Sequence, residues 1–179
     1  MIHDPQRARL VKLVQELALT SVSNTGKFAA DMRSIVLHHE AAPLVGHVCL
    51  DLLEESGFPP EEIDAVGGLT INSSMVGAAV LHAAASRGLE LDAFALDQIN
   101  GRHVGPRIDG RAVVVVMARC GSGQGALVTA RLAEQAGAQV LAILSVIDEG
   151  AAARQLIESA GYQYLVVLEP KDFEDEAQG

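Results

Sequence analysis

The stretch Arg119-Cys120-Gly121-Ser122-Gly123-Gln124-Gly125 follows the run Val113-Val114-Val115-Val116 and leads into a helical pattern from Gln124 to Gln135. A strand that turns tightly into a helix start leaves backbone N–H groups without intrahelical partners, and the helix dipole adds partial positive charge at the same place. With glycines letting the backbone approach closely, such a turn can hold a phosphate. Arg119 is the candidate for a charge-assisted contact and Ser122 for a hydroxyl contact. Cys120, Gly121, Gly123, Gln124 and Gly125 complete the candidate phosphate-binding set. The plain alternative is a turn that needs its glycines only for their shape.

Other residues with chemical potential are scattered. Cys120 lies where a helix N-terminus and Arg119 could lower a thiol pKa, yet no His or carboxylate can be assigned as its partner from spacing, which favours a bystander thiol. His103 reads as a solvated loop histidine and is otherwise a residual catalytic candidate. Asp31 and Arg33 would share one face of an extended segment and read as an ion pair or a dimer contact rather than a catalytic pair. Arg102, Arg107 and Arg111 form a basic cluster that either faces an acidic ligand or is simply solvated. Cys49 and Cys120, the two cysteines, are far apart with no second ligand at metal spacing, so neither a disulfide nor a metal site is expected.

What positions these residues follows from composition and period. A chain of 179 residues that is 49% hydrophobic is one globular domain with a substantial core. Because aromatics are only 3%, that core must be built from Ala, Val, Leu and Ile, as in sheets covered on both faces. A net charge of −10 excludes nonspecific binding to nucleic acid or anionic lipid while leaving room for one cationic pocket. The N-terminus shows no secretory pattern and no apolar run is long enough for a bilayer, so a cytoplasmic protein without membrane contact is expected.

In chain order, Gln6 to Leu19 is an amphipathic helix, Thr20 to Gly26 a loop and Lys27 to Leu37 an extended segment. Glu40 to Ser56 is a second helix, with Cys49 on its apolar stripe, stopped by Gly57 and Pro59-Pro60. Strand and helix then alternate: strand Ala65–Ile71, polar loop Asn72-Ser73-Ser74, helix Met75–Arg87, strand Leu91–Leu96 and a long loop Asp97–Asp109. Strand Arg111–Met117, helix Gln124–Gln135, strand Gln139–Ile147, helix Gly150–Ser159 and strand Tyr164–Leu168 follow. This order predicts an α/β fold, a parallel sheet with helices on both faces, whose ligand lies at the carboxyl ends of the strands. Residues 1–38 would form an N-terminal helix and hood, 39–168 the α/β core and 169–179 an acidic, solvated tail.

Several landmarks together resemble the type I phosphoribosyltransferases, and among them the orotate phosphoribosyltransferases. They are Leu37-His38-His39-Glu40-Ala41-Ala42-Pro43-Leu44-Val45-Gly46, Val66-Gly67-Gly68-Leu69-Thr70, Asp92-Ala93-Phe94, Arg107-Ile108-Asp109-Gly110 and Glu134-Gln135-Ala136-Gly137-Ala138. The likeness spans about residues 7–173. It implies a dimer, a small hood over a parallel-sheet core, and transfer of ribose phosphate from phosphoribosyl pyrophosphate to orotate with magnesium.

The departures fall where that chemistry would occur. The family's adjacent Glu-Asp pair at the end of the central strand matches Met117 and Ala118, which cannot offset developing positive charge. The mobile loop's cations match Asp97, Gln98 and Gly101, leaving His103 from the original set; a carboxylate at 97 repels pyrophosphate. Ile71-Asn72-Ser73-Ser74-Met75 lacks the pyrophosphate-loop glycine. Phe28 is the base-side candidate, matching one of two stacked aromatics, but Ala29 follows it, and Thr20 stands near a usual phosphate-contacting Lys. Asp148-Glu149 replaces an Asp-Arg whose Arg would grip orotate's carboxylate. The family's phosphate loop matches Gly121–Gly125 and stays glycine-rich.

The resulting expectation is a phosphoribosyltransferase-like protein, catalytically impaired, holding a nucleotide or sugar phosphate at Gly121–Gly125 in a regulatory or subunit role. The alternatives are an active transferase, which would need magnesium, and a structural partner of an active paralogue. A homodimer or a heterodimer with a paralogue is expected.

Overall fold

The computed structural model describes residues 4–22, 28–97, 103–150 and 152–173, with the backbone alone at 19–22 and 28–29. The first helix, α1 (Pro5–Leu17), begins where expected: Asp4 accepts from the Gln6 amide and proline occupies the first turn. Its buried face, Leu10, Leu13 and Val14, lies on the core.

The hood differs from the sequence expectation. Residues 20–22 of the expected loop are strand: β1 (Leu19–Val22) pairs antiparallel with β2 (Phe28–Ala30), and the rest of that loop lies outside the described residues. The extended stretch ends at Ala30, because Asp31 caps a short helix, α2 (Met32–Val36), by accepting from the Arg33 amide. Asp31 and Arg33 therefore do not share a strand face. Their side chains pair across that helix start at 3.0 Å, the ion pair anticipated.

The helix α3 (Ala41–Glu55) buries Val45, Val48, Cys49, Leu50 and Leu53. It packs closely on α4 (Ile71–Ser86), with Gly46 at the crossing: a Cβ there would lie 2.2 Å from the Ala79 carbonyl oxygen. α4 also overturns an expectation, since Asn72-Ser73-Ser74 is its first turn and not a loop. Thr70 makes this possible, its Oγ1 accepting from the Ser73 amide at 3.1 Å and lying 2.9 Å from Ser73 Oγ. Such a cap is worth about 1 kcal/mol.

The sheet comprises β3 (Ala65–Gly68), β4 (Asp92–Leu96), β5 (His103–Val104), β6 (Ala112–Cys120), β7 (Gln139–Asp148) and β8 (Tyr164–Leu168), in the order β5-β4-β3-β6-β7-β8. All neighbours are parallel except β4 with β5. Val113–Val116 at its centre are fully buried, each stabilising by roughly 1.5–3 kcal/mol. Alternation sends Val114, Val116 and Ala118 toward α1–α4 on one face. Val113, Val115 and Met117 face α5 (Gln124–Gln135) and α6 (Ala152–Ser159) on the other. This is the α/β architecture expected, with helices on both faces of the sheet.

Other expected boundaries move as well: β3 ends at Gly68 and not at Ile71. β6 continues to Cys120, so Met117–Cys120 belong to the strand and the turn begins at Gly121. The segment expected to be a solvated tail folds through Phe173. A 3₁₀ turn at Pro170–Phe173 brings Asp172 to accept from Arg7 Nη2 at 2.6 Å and from the Glu169 amide at 2.7 Å, tying the C-terminal end to α1. No helix among the described residues is long and apolar enough to cross a membrane.

Candidate functional site

The strand order reverses between β3 and β6: from β3 the chain moves through α4 outward to β4, and from β6 through α5 in the opposite direction to β7. The carboxyl ends of β3 and β6 therefore flank a crevice, and the N-termini of α4 and α5 open beside it. A cleft of about 720 Å³ occupies this place, lined by hood residues Ala30–Arg33, by Thr70–Ser73 and by Met117–Arg119.

Its strand-end wall is uncharged at the two positions nearest the centre. Met117 is 9% exposed and packs toward α5, while Ala118 is 5% exposed and packs toward the opposite face. The charges lining the cleft are committed to ion pairs. Asp31 is paired with Arg33, whose guanidinium and then whose amide hold the carboxyl below the usual carboxylate range. Arg119 Nε meets Glu149 Oε1 at 2.9 Å, and Arg119 Nη1 donates to the Ala30 carbonyl at 3.0 Å. Arg119 thus bridges the end of β7 and the hood, and is not turned toward the glycine loop as its place in the sequence suggests.

The loop itself is shaped by one residue. Gly123 has φ +83°, the left-handed conformation that opens α5, and a Cβ on it would meet Ala153 Cα and O at 3.1 Å. Gly125, by contrast, has Met117 Cε as its nearest neighbour at 3.9 Å. Ser122 is exposed, and its Oγ receives a long 3.4 Å contact from the Gln124 amide. The first-turn amides of α5 are the groups that an anion would meet, together with the positive end of the helix dipole.

Cys120 contributes backbone alone. Its side chain is 3% exposed in the core beneath α5 and α6, and burial pushes its thiol up, the opposite of what a nucleophile needs. Cys49, wholly buried on α3, is pushed up to about 12 for the same reason. Asp148 is 4% exposed and raised by burial, its Oδ1 accepting from the Gly150 amide at 3.0 Å.

The remaining candidates do not converge on the cleft. His103 is exposed on the edge strand β5, paired in register with Leu96, and is not a loop residue. Asp97 is half-buried just beyond β4, while Gln98, Gly101 and Arg102 lie outside the described residues. Phe28 is on β2, and its side chain is likewise outside them. Arg111 is at the amino end of the sheet, bound to Asp92 at 2.8 Å and to the Asp64 carbonyl at 2.7 Å, so Arg111 does not face the ligand end. Glu149 is the residue whose part sequence reasoning misses. In the sequence it is only the place of a lost arginine, and its pairing with Arg119 depends on β6 and β7 lying side by side with Cys120 opposite Asp148.

No family model matches the chain. It is 34% identical over 181 residues to the orotate phosphoribosyltransferase of Tropheryma whipplei (strain Twist), covering 94% of this chain and 83% of that one. To the orotate phosphoribosyltransferase of Streptomyces coelicolor it is 41% identical over 145 residues, 77% of each chain. The crystal structure of Mycobacterium tuberculosis H37Rv orotate phosphoribosyltransferase with inorganic phosphate superposes with a TM-score of 0.84 at 28% identity, covering 96% of this chain and 92% of that one.

Proposed function

The chain belongs to the orotate phosphoribosyltransferase family, and from that premise we propose that it binds a nucleotide or sugar 5′-phosphate at Gly121–Gly125 while being impaired in ribose transfer. Its role is then regulatory or that of a subunit, as a homodimer or beside a paralogue. The observation that carries this reading is the strand end, where buried, uncharged Met117 and Ala118 occupy the two positions that the family resemblance assigns to an acidic pair. A ribose cation developing there would meet a thioether and a methyl group, and no carboxylate on β6 would offset its charge.

Magnesium does not fit this strand end. β6 contributes no carboxylate to the cleft, Asp31 and Glu149 are each held by an arginine, and no cluster of three or more His, Cys, Asp or Glu able to hold a metal occurs among the described residues. Phosphate binding needs none of these groups. The amides and dipole of the α5 start suffice for a monophosphate, and the phosphate-bound Mycobacterium structure supports a phosphorylated ligand for this fold. A second reading, an active transferase on orotate or another acceptor, is favoured by the shared identity with proteins that bear that name.

Isothermal calorimetry with ribose 5-phosphate, orotidine monophosphate, orotate, and phosphoribosyl pyrophosphate with magnesium separates the two. Binding of a monophosphate without metal, weakened by Gly123→Asp, is expected. Magnesium-dependent binding of the pyrophosphate substrate accompanied by orotate turnover overturns the proposal. Binding of no ligand leaves a purely structural partner.

A further inference from the structure

We propose that Glu149 sets the affinity of the glycine loop, an internal competitor that keeps Arg119 from the loop's anion and weakens its binding. This inference rests on the phosphate-binding reading of Gly121–Gly125. Glu149 is held in place from two directions: its amide donates to the Cys120 carbonyl at 2.9 Å, and its Oε1 takes Arg119 Nε at 2.9 Å. The other carboxylate oxygen lies against the first residue of the loop, so close that a Cβ built on Gly121 would be 2.9 Å from it. A carboxylate therefore sits at one end of the cradle whose other end is the positive start of α5. The guanidinium that would assist an anion is spent on that carboxylate and on the hood carbonyl of Ala30.

The side chain of Glu149 is 27% exposed and that of Arg119 43% exposed, so this is a pair at the rim that solvent weakens and that can exchange partners. An anion entering the loop must either tolerate the carboxylate or draw Arg119 away from it. The carboxylate repels any phosphate that the loop takes, the 5′-phosphate of a nucleotide or sugar included, and so lowers its affinity. Drawing Arg119 onto the ligand also releases its bond to Ala30, so occupancy of the loop and attachment of the hood to the core are linked through one side chain.

The test is calorimetric titration of the full chain with inorganic phosphate at pH 7 in low salt, for wild type, Glu149→Gln and Glu149→Gln/Arg119→Gln, each first checked for cooperative thermal unfolding. Glu149→Gln is expected to tighten phosphate binding by roughly tenfold, close to the roughly fivefold of one unit charge about 4 Å away in bulk water, as suits a solvent-weakened pair. The ratio to wild type should fall toward one at high ionic strength, which a merely structural effect would not show. The double variant should lose most of the gain, because the freed guanidinium is what the anion uses. Equal phosphate binding by wild type and Glu149→Gln, or weaker binding by the variant, overturns this inference and leaves the phosphate-binding loop standing. Absence of binding by either at millimolar phosphate overturns both.

Discussion

Two glycines of the same loop should respond to alanine with opposite signs. At Gly123 the backbone has φ +83°, which costs an alanine about 1–2 kcal/mol. The new Cβ would also press on Ala153 Cα and O at 3.1 Å, so the α5–α6 contact must open, adding about 1 kcal/mol. The expected loss is about 2–3 kcal/mol. Gly125 is in the first turn of α5, its φ is not positive, and an added Cβ would have Met117 Cε as its nearest neighbour at 3.9 Å. Alanine there fits and lowers the entropy of the unfolded chain, a gain of up to about 1 kcal/mol. Urea unfolding followed by far-UV circular dichroism should then separate the two variants by about 1 M or more in midpoint, with unchanged slope, given slopes of about 1–3 kcal/mol/M. Phosphate binding should survive Gly125→Ala, whose N–H is retained. Equal midpoints, or a Gly123→Ala protein as stable as wild type, would refute the view that Gly123 alone sets the loop's shape.

Three further outcomes are expected. Neither cysteine should react with a thiol reagent in the folded chain at pH 8 and both should react after denaturation, since burial raises both thiols; rapid labelling of native Cys120 would contradict its placement beneath α5. The Asp148 carboxyl is raised by burial, so the folded chain holds that proton more tightly than the unfolded chain, and stability is lost as pH rises from the ordinary carboxyl range through the raised value. Asp148→Asn should therefore be more stable than wild type above that window in pH-dependent urea unfolding and converge with it below; an advantage confined to low pH would reverse the sign. Met117→Glu/Ala118→Asp should not gain orotate turnover and should lose stability, because both positions are buried and position 97 still carries a carboxylate; turnover above background would show that the strand end alone was limiting.

The core of the fold was legible because its signals are local and repeated. The valines of β6, the helical stripe of α3 and the turn residues Gly57, Gly88, Gly137 and Gly161 each point to the same alternating architecture. What misled was short and polar. Asn72-Ser73-Ser74 reads as a loop because these residues favour caps and turns, yet Thr70 takes the cap and leaves them to begin α4. Lys27 to Leu37 carries no residue that distinguishes a strand from a strand followed by a capped turn, until Asp31 is seen bonded to the Arg33 amide. In the site, the glycine loop was readable from spacing, whereas the direction of Arg119 was not. That direction is set by Glu149 on the adjacent strand's end and by a hood carbonyl, partners distant in sequence that only the assembled sheet brings together. Arg111 misleads in the same way: its sequence neighbours suggest a ligand cluster, and the sheet places it at the opposite end.

Orotate consumption with phosphoribosyl pyrophosphate and magnesium at micromolar protein, run beside ribose 5-phosphate binding on the same preparation, tests the central claim most directly. The predicted result is monophosphate binding with no orotate consumed above the protein-free rate. Sustained magnesium-dependent conversion of orotate would contradict it, and would mean that charges outside β6 supply what Met117 and Ala118 lack.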